Sequence, residues 1–207
     1  MKNSIICIGR EYGSGGREIG ELLSKKLGIP CYDKLLVQKA AQESGMSEAF
    51  LRRQEETPAE PELLLSGNFF ADSASLSCFY TGSQMAYDAE RRTIARLAGQ
   101  GGCIFIGRCA SAILHEHHPL SAFVYSDLPD RIRRVMARNA LDEKSAAARI
   151  RRVDKMRRQY FDFYAGTRWG HPESYSLMLS SSQLGLEGCV EVLAAAYAAQ
   201  RGGETHE

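Results

Sequence analysis

The sequence predicts an α/β protein of three layers built on a parallel sheet, on three observations. Ile5–Ile8 is an apolar run that passes through a glycine-rich turn into an amphipathic helix. That helix leads to a short second strand from Pro30, ending at Asp33. Further apolar runs at Cys103–Ile106, Ala122–Tyr125 and Tyr175–Leu179 are separated by stretches of helical spacing. Strands alternating with helices form parallel sheets, and such strands read as unbroken apolar runs because both of their faces are covered. At 207 residues with 44% hydrophobic content, the chain has material for one sizeable core, so a single domain over 1–207 is expected.

The first unit is the most informative. Ile19, Leu22, Leu23 and Leu27 share one helical face, Gly28 closes the helix, and Pro30 prevents its resumption. Between strand and helix, Gly13, Gly15 and Gly16 permit tight turns and positive φ, so that successive N–H groups with Ser14 among them can converge on an anion. Phosphate is the expected guest. The standard phosphate-binding pattern, G-x-x-x-x-G-K-S/T, is nevertheless not met. The dinucleotide fingerprint G-x-G-x-x-G also fails, because Glu18 stands where the third glycine belongs. Arg17, on the first helical turn, offers a planar fork for phosphate oxygens, Arg10 enters from the strand side, and Glu11 or Glu18 supplies oxygen for Mg²⁺.

Beyond Asp33, Lys34–Gln42 reads as a helix ended by Ser44-Gly45, and Ser47 caps another through Arg53. The acidic, proline-bearing run Glu55–Pro61 predicts a surface connection, with Gly67-Asn68 and Gly82-Ser83 keeping the region irregular. Helical spacing returns at Gln84–Gly99, then the Cys103 strand opens through Gly107-Arg108 into a turn. Arg108 thus sits at a strand's carboxyl end, where open α/β sheets bind ligands. After the Ala122 strand, Ser126–Pro129 starts a basic helix with a break at Asn139–Lys144, and a second basic helix spans Ala146–Tyr164. A turn-rich link, the Tyr175 strand, Ser180-Ser181 and a closing helix over Cys189–Ala199 complete the chain, before a polar tail expected to fray.

The net charge of +1 conceals an asymmetry: Asp130–Asp162 holds eleven Arg or Lys against five Asp or Glu. Such a segment suits an anion. Its aromatic neighbours Tyr160, Phe161, Phe163, Tyr164 and Trp169 also raise RNA binding as a reading, although their spacing fits a helix packed on a core. The six cysteines form no C-x-x-C pair and the histidines no metal spacing, so neither a zinc site nor a disulfide framework is expected. No secretory signal opens the sequence and no run approaches a membrane span, which leads to the expectation of a cytoplasmic protein.

The wording Gly9-Arg10-Glu11-Tyr12-Gly13-Ser14-Gly15-Gly16-Arg17-Glu18-Ile19-Gly20 resembles the cytidylate kinase-like family, divergent relatives of the phosphate-loop nucleoside monophosphate kinases. In an ungapped register with cytidylate kinases, Arg10 takes the place of the first loop glycine, Gly16 that of the lysine, and Arg17 that of the Mg²⁺-binding Ser/Thr. Gly107-Arg108 resembles part of an acid-Gly-Arg-Asp motif, and Asp154-x-x-Arg157 a motif that meets cytosine and the acceptor phosphate. Ser180 and Ser181 fall at the Asn-Thr of a segment near the base. The resemblance implies a P-loop kinase fold with 34–100 as a possible acceptor-binding helical region and 129–164 as an arginine-rich lid. It also implies ATP and Mg²⁺ as cofactors and a nucleoside monophosphate such as CMP as acceptor. In that reading the loop from Gly13 to Arg17, with Arg10 and Glu18, holds the donor, and Arg17 takes the part of the missing lysine. Arg108, Asp154 and Arg157 bind the acceptor, Arg131 with Arg149 or Arg151 closes over both, and Asp33 orders Mg²⁺ or takes a proton. The rival is a nucleotide or phosphate sensor that has lost transfer along with the lysine.

Overall fold

The computed structural model describes residues 5–55 and 73–202. Its five strands are β1 (Ile5–Arg10), β2 (Cys31–Tyr32), β3 (Cys103–Ile106), β4 (Leu120–Tyr125) and β5 (Leu177–Ser180), in the order β2-β3-β1-β4-β5. All pairings are parallel, with Ile6 opposite Ile104 and Leu120 across the centre. β1 lies in the middle because its Ile5–Ile8 run is apolar on both faces, and all four residues are buried.

Alternation along the strands divides the core. Ile6, Ile8, Ile104, Ile106, Ala122 and Val124 pack with Ile19 and Leu23 of α1 (Gly16–Leu27) and with Cys189 and Leu193 of the closing helix. Ile5, Cys7, Cys103 and Phe105 face the other way, onto Leu36 of α2 (Lys34–Ser44) and onto Ile94 and Leu97 of α4 (Ser73–Ala98). Close approach to the first face requires a glycine: a Cβ on Gly20 would lie 2.4 Å from Ile106 Cδ1.

The short α3 (Glu48–Glu55) starts as expected from Ser47, whose hydroxyl accepts the N–H of Phe50 at 3.1 Å. α5 (Ala110–Ile113) follows the turn after β3, and α6 (Leu128–Asn139) and α7 (Glu143–Ala165) are joined through Ala140 in the left-handed region. α8 (Ser181–Gly202) ends the described chain. Two expectations need correction. Gly82-Ser83 does not interrupt the chain but lies inside α4; a mid-helix glycine costs only about 1 kcal/mol, which a long helix packed on α2 absorbs. The closing helix, expected over Cys189–Ala199, starts at Ser181, straight from β5, and carries a kink at Gly185 (φ 69°, ψ 178°). The expected connection beyond Glu55, Gly67-Asn68 and the frayed tail beyond Gly202 lie outside the described residues. No helix among the described residues is long and apolar enough to cross a membrane.

Candidate active site

The carboxyl ends of β1, β2 and β3 open into a cleft of about 740 Å³. It is floored by the loop after β1, walled by Asp33, Gly107 and Arg108, and faced by α6 and α7. The loop takes its shape from two left-handed glycines, Gly13 (φ 86°) and Gly15 (φ 82°), the second being the N-cap of α1. The first hydrogen bond of α1 runs from Ile19 N–H to the Gly15 carbonyl. The N–H groups of Gly16, Arg17 and Glu18 are therefore at the helix start with no role inside it, beside the positive end of the dipole. A helix opening of this kind fits phosphate oxygens.

The rest of the molecule grips this loop from behind. The buried Ser14 hydroxyl donates to the Glu11 carbonyl at 3.0 Å, and the Ser181 hydroxyl donates to the Ser14 carbonyl at 2.7 Å. Ser181, in the segment that the family pattern set near a base, thus supplies a loop clamp. Replacing Ser181 by alanine is expected to lower unfolding free energy by about 1 kcal/mol or more, measured by urea titration, since it removes the hydroxyl that bonds Ser14 and also meets Tyr125 and Arg134.

Arg131, Glu11 and Asp154 make a second clamp. Buried Arg131 donates through Nε to the Tyr12 carbonyl at 2.9 Å, pairs through Nη1 with Glu11 at 3.1 Å and through Nη2 with Asp154. Asp154 also accepts the Tyr12 N–H at 2.7 Å, and Glu11 accepts the Ser126 N–H at 3.1 Å. Burial raises the Glu11 carboxyl above its ordinary range, against the lowering effect of Ser126 and Arg131. Neither Arg131 nor Asp154 lines the cleft. In this structure both belong to a network that fixes the loop.

Arg157 stands differently. It lines the cleft and donates to the Arg10 carbonyl at 3.0 Å. Burial, and then the nearby charge of Arg10, bring its guanidinium down to about 9, so it stays charged at neutral pH at a cost that an anion would relieve. Arg10 is likewise lowered, first by burial, with Asp33 at 3.7 Å acting in the opposite sense. Arg17 is 45% exposed and lies 2.8 Å from Glu21 and 3.3 Å from Asp33. Cleft-lining Asp33 therefore faces both loop arginines.

Arg108, in the left-handed region at φ 60°, pairs with Glu90 of α4, and both side chains are buried. Burial pushes Glu90 up to about 8, partly offset by the Tyr160 hydroxyl donating to it at 3.2 Å. Sequence reading missed Glu90. Its signal was present, because 86, 90, 93 and 97 form one helical stripe whose other members are Ala86, Thr93 and Leu97, and a lone carboxylate on such a stripe demands a partner.

The lid arginines divide by helical phase. Arg149, Arg152, Val153, Met156, Arg157 and Tyr160 form a stripe of α7 along the cleft, joined by Arg138 of α6, whereas exposed Arg151 points off it. Arg138, Arg149 and Arg157 stand over the Tyr12 ring at 4.9, 5.9 and 5.5 Å, so an unforeseen loop tyrosine organises them through cation–π contact. Of the aromatics that raised base stacking, Phe161 is buried against Tyr175, Tyr160, Tyr164 and Trp169 pack part-buried against the same cluster, with Trp169 edge-on to Phe123, and Phe163 is exposed. Among the described residues no group of three or more His, Cys, Asp or Glu could hold a metal ion by itself.

This parallel order with a glycine loop at the end of the central strand is a P-loop kinase fold. The sequence model of the cytidylate kinase-like family matches residues 5–183, and the chain belongs to that family. Among solved structures, it is similar to an uncharacterized protein from Eubacterium ventriosum (24% identity, TM-score 0.72, covering 94% of this chain and 98% of that one). It is also similar to shikimate kinase from Bacteroides thetaiotaomicron (12% identity, TM-score 0.54, covering 93% and 97%). No curated protein matches the chain.

Proposed function

We propose that the chain is an ATP-dependent small-molecule kinase that transfers the γ-phosphate to a nucleoside monophosphate, CMP being the first candidate. The observation that carries the proposal is a phosphate-shaped loop facing a cleft that Arg10, Arg17, Arg138, Arg149, Arg152 and Arg157 line. Phosphoryl transfer passes through a loose, anionic transition state, so its catalysis rests on cations placed around the moving group and on exclusion of water.

In this reading the N–H groups from Gly13 to Arg17 hold the donor phosphates, with a loop guanidinium in place of lysine. The left-handed Gly13 and Gly15 support a phosphate guest there, because they bend the backbone around the helix start. Mg²⁺ would be held by phosphate oxygens with one side-chain oxygen from Asp33 or Glu18, as it keeps most of its shell from water and phosphate. When bound, that ion would neutralise charge on the leaving phosphates. Arg157 holds the acceptor phosphate, helped by Arg108 once the acceptor competes with Glu90 for its guanidinium. Arg138, Arg149 and Arg152 close over both ligands from the lid. A phosphate acceptor is already ionised and needs no strong base; for a hydroxyl acceptor Asp33 would take the proton.

Loss of the lysine supports the second reading, a sensor that binds nucleotide without transfer. Incubation with Mg²⁺-ATP and a panel of nucleoside monophosphates, with products resolved chromatographically, separates the two. A phosphorylated acceptor supports the kinase; ATP retained with no product from any acceptor supports the sensor. In the same assay Arg151→Ala is expected to keep turnover within about twofold, as an exposed residue away from the cleft, while Arg149→Ala and Arg152→Ala each lower it about tenfold or more.

A further inference from the structure

We propose that Arg10 is the cation that replaces the absent phosphate-loop lysine, and that Gly16 and Gly107 are glycines because the Arg10 side chain occupies the space above them. The inference rests on the kinase reading of this same site and names the residue that does the lysine's work.

Gly16 holds the lysine's place in the family register. A Cβ built on it would lie 2.6 Å from Arg10 Cβ and 3.1 Å from Arg10 Cγ. These are atoms of the stem close to the backbone, which cannot swing aside, so a lysine at 16 and an arginine at 10 exclude each other on this backbone. The two positions read as an exchange: the cation has moved from the first residue of the helix to the last residue of the strand.

From there the side chain runs toward the end of β3. A Cβ on Gly107 would fall 1.7 Å from Arg10 Nη1 and 2.8 Å from Cζ, so the guanidinium lies directly over that glycine. Gly107 also has φ 72°, which favours glycine in any case. Arg10 therefore reaches from the end of the central strand β1 to the end of its neighbour β3, lining the cleft together with Gly16 and Arg17.

Its surroundings leave its charge available. The Arg10 side chain is 18% exposed and its nearest carboxylate, Asp33, is 3.7 Å away, beyond a good hydrogen bond. Arg157, bonded to the Arg10 carbonyl, adds a second buried cation instead of a counter-charge. Arg17 shows the opposite pattern, 45% exposed and engaged by Glu21 and Asp33. A polyphosphate oxygen near Gly107 and the start of α1 would meet Arg10 first.

The test is calorimetric titration of the full chain with tripolyphosphate and, separately, Mg²⁺-ATP. It uses the parent, Arg10→Met, Arg17→Met and the double variant Arg10→Gly/Gly16→Lys, with circular dichroism melts confirming that each is folded. Loss of a charge-assisted contact predicts that Arg10→Met weakens both ligands about ten- to a hundredfold. Arg17→Met is expected to retain more affinity than Arg10→Met, and the double variant to bind more tightly than Arg10→Met, because it restores a cation by the lysine route. Parental tripolyphosphate affinity in Arg10→Met, a larger loss in Arg17→Met, or a double variant no better than Arg10→Met overturns the assignment. Arg10-dependent polyphosphate binding without product from any acceptor would remove the kinase reading and leave the role of Arg10 standing. Product formation undiminished in Arg10→Met would do the reverse.

Discussion

Replacing Arg131 by methionine is expected to cost about 3–5 kcal/mol of unfolding free energy, a large part of the stability of an ordinary domain. The reason is asymmetric. Arg131 faces two carboxylates, Glu11 and Asp154, and the Tyr12 carbonyl, all at one partly buried point behind the loop. Methionine fills the volume but leaves two acids close together with no cation between them. Urea unfolding of parent and variant at neutral pH measures the loss. Asp154→Asn should cost less than Arg131→Met, because asparagine still offers an oxygen to the Tyr12 N–H at the position where Asp154 accepts it. If Arg131→Met were as stable as the parent and impaired only in turnover, the residue would be a ligand-binding group after all.

Arg157→Met is expected to behave in the opposite way. Here a buried guanidinium faces the cleft beside another cation, and its own charge is opposed by burial and by Arg10. Removing it relieves that desolvation and repulsion while losing one hydrogen bond to the Arg10 carbonyl at 3.0 Å, so stability should be unchanged or higher. Turnover should fall about a hundredfold or more, the usual consequence of losing the group that positions one reactant against the other. The pair of variants thus separates two kinds of arginine that look alike in the sequence. Melting temperature and kcat/KM measured on both would show a stability loss in one and an activity loss in the other.

Much of the fold was legible because each element had its signals in place. The continuous apolar run of β1 marked a strand covered on both faces, Gly28 ended α1 in the left-handed region, and Ser47 capped α3. Helix continuity through Gly82 was not legible, since a local breaker carries no information about the tertiary contacts that override it. The site was legible in its loop and less so in its arginines. Composition marked a basic helix pair and the family resemblance made it a lid, but which arginines enter the cleft depends on how each helix is rotated about its axis. The buried positions Ala146, Ile150 and Phe161 fix that rotation for α7, and they turn 149, 152 and 157 inward and 151 outward. The engagement of Arg131 by Glu11 in the distant loop and by Asp154, 23 residues on in the next helix, leaves no local pattern to read. Gly16 was read as a loss of chemistry; only the placement of Arg10 over it turns that loss into an exchange.

The central claim is that the loop after β1 and the arginines facing it form a site for a nucleoside triphosphate. Calorimetric titration of the full chain with Mg²⁺-ATP, alone and with CMP present, tests it most directly. The account predicts one ATP bound per chain, with an affinity that falls as salt is raised because guanidinium contacts to phosphate are screened. No heat and no rise in melting temperature at millimolar Mg²⁺-ATP would contradict it, for kinase and sensor alike.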